Sequence, residues 1–182
     1  MKKECYISVD IESAGPIPGK FSMLSLGACV VGKSCEGFYA ELKPISKDYI
    51  PDALKVSGFN LEKLEREGQP PSGVMKEFRS WVEKIAGDSK PVFVGFNACY
   101  DWQFVNWYLE TYAGGNPFGF GGVDIKSYYM GKTALPWSKT TSSQLPPEFK
   151  PDTAQTHNAL DDARAQASIF EKLIKSGASK TC

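Results

Sequence analysis

Two carboxylates near the start of this sequence have the spacing with which a strand can hold a hard cation. Asp10 and Glu12 stand in the alternating segment CYISVDIE, and alternate side chains project from the same face of a strand. Carboxylate oxygens are the ligands that magnesium and manganese prefer. Asp-x-Glu also occurs often by chance. The pair alone therefore leaves open a metal site or two solvated residues at a strand end.

A second polar pair follows the apolar segment PVFVGF. Asn97 and Asp101 are four positions apart, a spacing that places two residues on one face of a helix. Binding sites in α/β proteins commonly form where a helix leaves the carboxyl edge of the sheet. We therefore predict that both side chains face a site at that edge, with N-capping of the helix as the alternative role for Asn97.

The third group of candidates lies near the end of the chain. His157 is the only histidine, which excludes a zinc site built from several histidines and leaves one imidazole for proton transfer near neutral pH. If residues 160–174 form a helix, Asp161 lies almost opposite the apolar stripe, whereas Asp162 lies on its flank. Asp162 is thus predicted to face inward and Asp161 to be solvated. Periodicity alone does not show that the segments carrying Asp10, Asp101 and Asp162 lie close together in the fold.

The elements that must position these residues change from strands to alternating helices and strands. Strand patterns occur in CYISVDIE, FSMLSLGACVVG, EGFYAELKP, PVFVGF and VDI, and helical patterns over 48–57, 60–67, 72–87, 100–113, 126–131 and 158–177. A loose stretch over roughly 135–155, rich in Pro, Ser and Thr, is predicted to border the site. This order predicts an α/β fold with a mixed sheet.

Composition and charge limit the possible classes. With 182 residues and 20.0 kDa, the chain is predicted to form a single domain over 1–182. Lys plus Arg and Asp plus Glu both number 21, so the basic excess that grips long nucleic acid is missing, although bound cations would offset clustered carboxylates. No segment has the pattern of a signal peptide or membrane span, and five cysteines without CxxC spacing favour a cytoplasmic protein with no membrane partner.

Three motifs carry a family resemblance. VDIES, FNACYD and HNALDDA, in that order, resemble the exonuclease motifs of the DEDDh family, the polymerase-proofreading-type enzymes of the ribonuclease H-like superfamily. The resemblance covers roughly residues 4–176 and implies a ribonuclease H-like fold, a five-stranded mixed sheet flanked by helices. It also implies metal-dependent 3′→5′ hydrolysis of single-stranded DNA or RNA, with release of nucleoside 5′-monophosphates. Two divalent cations, Mg²⁺ or Mn²⁺, are the implied cofactors.

The resemblance implies a role for each candidate. Asp10 would bridge both cations, Glu12 and Asp162 would complete one of the sites, and Asp101 would support the other through water. His157 would deprotonate the attacking water. Single-stranded 3′ ends are the implied partners, and a homodimer is possible because many relatives pair.

The sequence after Glu12 departs from the family pattern. Relatives continue with Thr or Ser, then Gly and a bulky apolar residue that wedges against the terminal base, whereas this chain has Ser13-Ala14-Gly15-Pro16-Ile17. Ile17, Met23 or Leu24 could provide the wedge, and aromatic rings near the second motif offer stacking surface. The predicted substrate contacts adjoin the first two motifs: Ser13, Ile17, Leu24, Phe96, Asn97 and Tyr100. Phe104 is predicted to pack in the core.

Other interpretations fit less of the pattern. A non-catalytic nucleic-acid or protein-binding module on the same fold would suit the balanced charge, but it predicts a broken site. An endonuclease of ribonuclease H type would keep the metal ligands without explaining His157 five residues before Asp162. Asp124 in VDIKS matches an aspartate often found in the family, and we predict a structural, helix-capping role for it.

Overall fold

One mixed β-sheet forms the centre of the fold. The computed structural model describes residues 3–151 and 156–178, excluding the side chains of 34–36 and 178. The sheet order is β3-β2-β1-β4-β5, with β1 antiparallel to β2, β2 antiparallel to β3, and β4 and β5 parallel to β1. The strands are β1 (Glu4–Ser13), β2 (Met23–Val30), β3 (Lys33–Glu41), β4 (Lys90–Gly95) and β5 (Gly122–Asp124). The predicted five-stranded mixed sheet is confirmed.

Six helices accompany the sheet within the described residues. They are α1 (Pro51–Ser57), α2 (Leu61–Glu67), α3 (Pro71–Ala86), α4 (Cys99–Ala113), α5 (Ile125–Thr133) and α6 (Ala159–Ala178). The helix predicted from residue 48 begins at Pro51 instead, because proline presets the backbone angle of a first helical turn and loses no hydrogen bond there. Within the predicted loose stretch, short 3₁₀ turns occur at Trp137–Lys139, Ser142–Gln144 and Pro147–Phe149, and residues 152–155 lie outside the described part.

The two faces of β1 differ in chemistry. Ile7, Val9 and Ile11 are buried on one face, whereas Asp10 and Glu12 alternate with them and project from the other. The apolar face packs against α3 and α4, where the buried rings include Phe78 and the predicted core residue Phe104. The large apolar cluster thus lies on one side of the sheet only.

Helix α6 covers the polar face at very short range. A Cβ atom on Gly27 would lie 2.1 Å from the carbonyl carbon of Ala159, so only glycine leaves room for this end of the helix. The contact continues through small side chains, with Cys29 packed against Ala163 and Ala167. Because Gly27 pairs with Asp10 across the β1–β2 ladder, the start of α6 lies next to the first acidic motif.

No helix in the described residues is both long and apolar enough to cross a membrane.

Candidate active site

An open cleft lies at the end of the sheet where β1, α4 and the start of α6 meet. Its volume is about 280 Å³. All five predicted catalytic residues line it: Asp10, Glu12, Asp101, His157 and Asp162. The fold therefore brings together three segments whose convergence periodicity could not predict.

Asp101 reaches the cleft from the first turn of α4. Its Oδ1 accepts a hydrogen bond from the backbone N–H of Ile11 at 3.0 Å, and the side chain is 5% exposed. Since Ile11 lies between Asp10 and Glu12, this bond fastens α4 to the centre of the first motif. The second motif is thereby held in a fixed position beside the first.

The predicted N-cap and helical position of Asn97 are wrong. Helix α4 begins at Cys99 after Ala98, with no side-chain capping bond, and Asn97 has a left-handed backbone with φ 57°. Asp124 holds this turn, because its Oδ1 accepts the N–H of Ala98 at 3.0 Å. Its Oδ2 accepts the N–H of Ser127 at 2.9 Å and caps α5, which confirms the capping role predicted for Asp124. Asn97 still lines the cleft.

Asp162 is fixed by the turn that leads into α6. The backbone N–H groups of Thr156 and His157 donate to its Oδ1 and Oδ2 at 2.9 and 3.1 Å, and its side chain is 4% exposed. Asp161 points away and forms an exposed pair with Arg164. The predicted inward position of Asp162 and outward position of Asp161 are confirmed.

Left-handed backbone conformations are concentrated around the cleft. Among described residues other than glycine, only Asn97, Ala134 and His157 have positive φ angles, and two of these three line the cleft. A left-handed backbone is uncommon outside glycine, although Asn and His adopt it more readily than most other residues. The turns before α4 and α6 thus present Asn97 and His157 in a left-handed conformation that these two residue types tolerate.

The acidic side chains repel one another in the cleft. The pKa of Asp10 is raised well above its ordinary value by burial and then by the charges of Asp101, Asp162 and Glu12. Burial and Asp162 raise the pKa of Glu12 to about 7. Burial also raises the pKa of Asp101 to about 7, against the hydrogen bond from Ile11. This excess of unpaired negative charge is what a divalent cation would neutralise.

The donor set fits a hard cation. Glu12, His157 and Asp162 each place one ligand atom so that all three lie within 4.8 Å of one another, and Asp10 and Asp101 line the same cleft. Carboxylate oxygens outnumber the one imidazole, which favours a hard divalent cation over metals that prefer nitrogen or sulfur ligands.

The predicted substrate contacts divide into accessible and inaccessible residues. Phe96, Asn97 and Tyr100 line the cleft. Leu24 is fully buried in a small cluster with Ala14, Phe21 and Leu64, so its predicted contact with substrate is wrong. Met23, which was an alternative candidate for the wedge, is also fully buried.

The structure does not decide whether Ser13 and Ile17, the other two predicted substrate contacts, touch substrate. The hydroxyl of Ser13 is buried, lies 2.7 Å from the Tyr100 hydroxyl and donates to the carbonyl of Gly15 at 3.0 Å, which orients the tyrosine ring. Ile17 is 53% exposed but belongs to neither the cleft nor the adjoining cavity. A contact of either residue with substrate stays a prediction.

Two residues were missed by the sequence analysis, one that lines the cleft and one that contacts a carboxylate of the cleft. Val56 of α1 is 57% exposed and lines both the cleft and an adjoining cavity of about 340 Å³, together with Glu12 and Tyr100; nothing in its local pattern indicated this. Gln166 contacts Asp10 from α6. Its spacing of four from Asp162 places both on one helical face, and that signal could have identified it.

Comparison with known proteins identifies the family. The model of the RNase T exonuclease family matches residues 7–170. The 3′-5′ DNA exonuclease Cap18 of Escherichia coli is 48% identical over 174 residues, which cover 95% of this chain and 93% of that protein. A PolC-type DNA polymerase III of Thermotoga petrophila is 21% identical over 172 residues, only 12% of its length.

Solved structures agree with the fold. The nuclease domain of 3′hExo, a DEDDh family member bound to rAMP, superposes with a TM-score of 0.72 at 15% identity, covering 96% of this chain and 92% of that one. The zinc-bound complex of E. coli ExoI with single-stranded DNA gives a TM-score of 0.72 at 16% identity, covering 98% and 42%. The predicted exonuclease class is confirmed, and this chain belongs to the RNase T exonuclease family, with a fold shared by DEDDh 3′→5′ exonucleases.

Proposed function

We propose that this enzyme removes nucleoside 5′-monophosphates from the 3′ end of single-stranded DNA, with two divalent cations, Mg²⁺ or Mn²⁺, as cofactors. The observation that carries the proposal is the meeting of four carboxylates and the only histidine in one cleft. The choice of DNA rests on the relative with 48% identity, which is a DNA exonuclease. The single-stranded form rests on the ExoI complex.

The four carboxylates would hold the cations. Asp10 is close enough to Asp101, Asp162 and Glu12 for their charges to raise its pKa, after the larger effect of burial, which suits a residue shared by two cations. Glu12 and Asp162 would complete one site, since their ligand atoms already lie close together. Asp101, held by Ile11, would support the other through water. When bound, the cations would stabilise the charge that develops on the attacking and leaving oxygens.

His157 would serve as the general base. It is exposed at the mouth of the cleft, and one of its ring nitrogens lies within 4.8 Å of carboxylate oxygens of Glu12 and Asp162. A neutral imidazole nitrogen can accept a proton from the attacking water and return it to solvent.

The walls of the cleft suit a terminal nucleoside. Tyr100 presents a ring that is 40% exposed, and its hydroxyl is fixed by Ser13. Val56 lies on the adjoining wall with its side chain open to solvent. An aromatic face and an aliphatic side chain can hold a base of any identity by stacking and apolar contact, which is what an exonuclease without sequence preference requires.

Digestion of 5′-labelled single-stranded DNA and RNA of one sequence tests the proposal. We expect a ladder that shortens from the 3′ end with Mg²⁺ or Mn²⁺, disappears with EDTA and is faster on DNA. Asp10→Asn should abolish it. Faster cleavage of RNA would overturn the choice of sugar. Binding of either oligonucleotide without cleavage under both metals would instead support the alternative of a non-catalytic binding module.

The cellular setting and the assembly stay predictions. Cys29 and Cys99 are free thiols, which suits a reducing cytoplasm. The possible homodimer would appear as a doubled mass in light scattering during size-exclusion chromatography.

A further inference from the structure

Gln166 connects three elements beneath the cleft. It lies one helical turn after Asp162 on α6, and its side chain is 3% exposed. Its Nε2 donates a hydrogen bond to Oδ1 of Asp10 on β1 at 2.6 Å. Its Oε1 accepts the backbone N–H of Phe96, just after β4, at 2.9 Å. One buried amide thus joins α6, β1 and the turn that leads toward Asn97.

The two bonds fix which way the amide faces. The N–H of Phe96 can only donate, so it requires the amide oxygen and leaves the amide nitrogen for the carboxylate. The reversed amide would place its oxygen against the oxygen of Asp10 and its nitrogen against the N–H of Phe96. Both bonds would then be lost in a buried setting, where an unmet donor or acceptor is destabilising. Phe96 therefore sets the orientation in which Gln166 acts on Asp10.

The hydrogen bond from Gln166 acts on Asp10, a carboxylate whose ionisation is opposed by three neighbouring acidic residues. Asp10 is surrounded by Asp101, Asp162 and Glu12, and the hydrogen bond from Gln166 opposes their effect on its ionisation. A donor on Oδ1 also limits rotation of the carboxylate about its last bond, so its remaining lone pairs point in fixed directions. Preset direction matters at a metal site because ligand oxygens must meet the cation at defined positions.

We propose that Gln166 is a positioning residue for the metal centre, which holds Asp10 in the orientation that binds divalent cations. The proposal rests on the proposed function, since it assumes that Asp10 is a ligand. Gln166 itself contacts no substrate in this account and acts through Asp10. Its contribution should therefore be visible in metal affinity and not only in fold stability.

The test is Mn²⁺ binding to the full chain, measured by electron paramagnetic resonance of free Mn²⁺. Gln166→Met keeps the length of the side chain but removes both hydrogen bonds, whereas Gln166→Ala opens space that water could occupy. Ile169→Met is the matched control, because Ile169 is similarly buried on α6 but packs in the apolar cluster beside Val94 and Phe170. Melting temperatures of all variants in EDTA report the effect on folding separately.

We expect Gln166→Met to weaken Mn²⁺ binding about 10–100-fold, the range seen for groups that orient metal ligands. Ile169→Met should bind Mn²⁺ like the wild type, and excess Mn²⁺ should restore part of the activity lost in Gln166→Met. Wild-type affinity in both Gln166 variants, or failure of both to fold, would overturn the positioning role. If the wild type itself bound no Mn²⁺, the proposed function would fail first, and the two failures are thus distinguishable.

Discussion

The two faces of β1 have opposite effects on the stability of the fold. On one face Ile7, Val9 and Ile11 pack against α3 and α4, in a cluster filled by large aromatic rings. On the other face Asp10 and Glu12 lie close to Asp162 of α6, and this helix approaches over Gly27 and small side chains. The apolar face buries surface and gains stability, whereas the polar face brings like charges together.

This difference shows that the polar face, which carries the site, destabilises the fold, whereas the apolar face stabilises it. Carboxylates whose pKa values are raised by burial and by one another oppose folding when they are ionised. The aromatic side can carry this cost because apolar burial offsets it. We therefore expect substitutions on the two faces to have different effects. Those on the polar face should lower activity, and those on the apolar face should lower stability.

The largest expected effect is on catalysis. Asp162→Asn should lower kcat/KM at least about 10³-fold, since a metal ligand contributes several kcal/mol of transition-state stabilisation. Its neighbour Asp161 is the matched control, because its side chain is largely exposed and its ion pair with Arg164 lies on the surface. Asp161→Asn should change kcat/KM less than about threefold, since such surface pairs contribute little. Steady-state kinetics on a single-stranded oligonucleotide would contradict this account if the two variants behaved alike.

The next effect is on stability from the apolar face. Phe78 is fully buried, stacks on Trp81 and contacts the tilted rings of Phe38 and Phe118. Phe78→Ala should lower the free energy of unfolding by about 3–5 kcal/mol. Urea titration measures this, and kcat at a temperature where the variant is folded should stay close to that of the wild type. A loss of kcat in the folded variant would mean that the two faces are not separable.

A smaller effect is expected where α6 approaches the polar face of the sheet over Gly27. Gly27→Ala should displace the start of the helix, because the new Cβ would lie 2.1 Å from the backbone of Ala159. We expect about 1–3 kcal/mol of destabilisation and a fall in kcat, since Asp162 and His157 move with that end of α6. Gly73→Ala is the control, because nothing lies within 4 Å of its Cβ and alanine favours the helix. Equal stability of both variants would contradict the close approach.

The sequence predicted the strands and helices better than the turns and packing contacts that connect them. The alternation around Asp10 and the helical stripe after His157 were readable because periods of two and 3.6 residues depend on local chain geometry. The left-handed turn at Asn97 was not readable, because Asp124, 27 residues later, holds Ala98 in place. Whether Leu24 was a wedge or core depended on packing by Leu64 from a distant helix.

The smallest expected effect is a pH dependence of the metal-free protein. Glu12 and Asp101 have pKa values of about 7 in the fold, above the ordinary values near 4 expected for the unfolded chain. Their contribution to stability is full below about pH 4 and is lost as the pH rises through about 7. In EDTA, the melting temperature should therefore fall by a few degrees from pH 6 to pH 8. The fall should be smaller in Asp101→Asn, and an equal fall in that variant would argue against the assignment.

The most direct test of this account compares the melting temperatures of the wild type and Asp10→Asn at pH 8, in EDTA and in saturating Mg²⁺. Asn keeps the shape of Asp and an acceptor for Gln166, but removes one of the repelling charges. We expect the variant to melt above the wild type in EDTA, and Mg²⁺ to raise the melting temperature of the wild type far more than that of the variant. If Mg²⁺ left the wild type unchanged and the variant melted lower in EDTA, the polar face would not be a charged site awaiting cations.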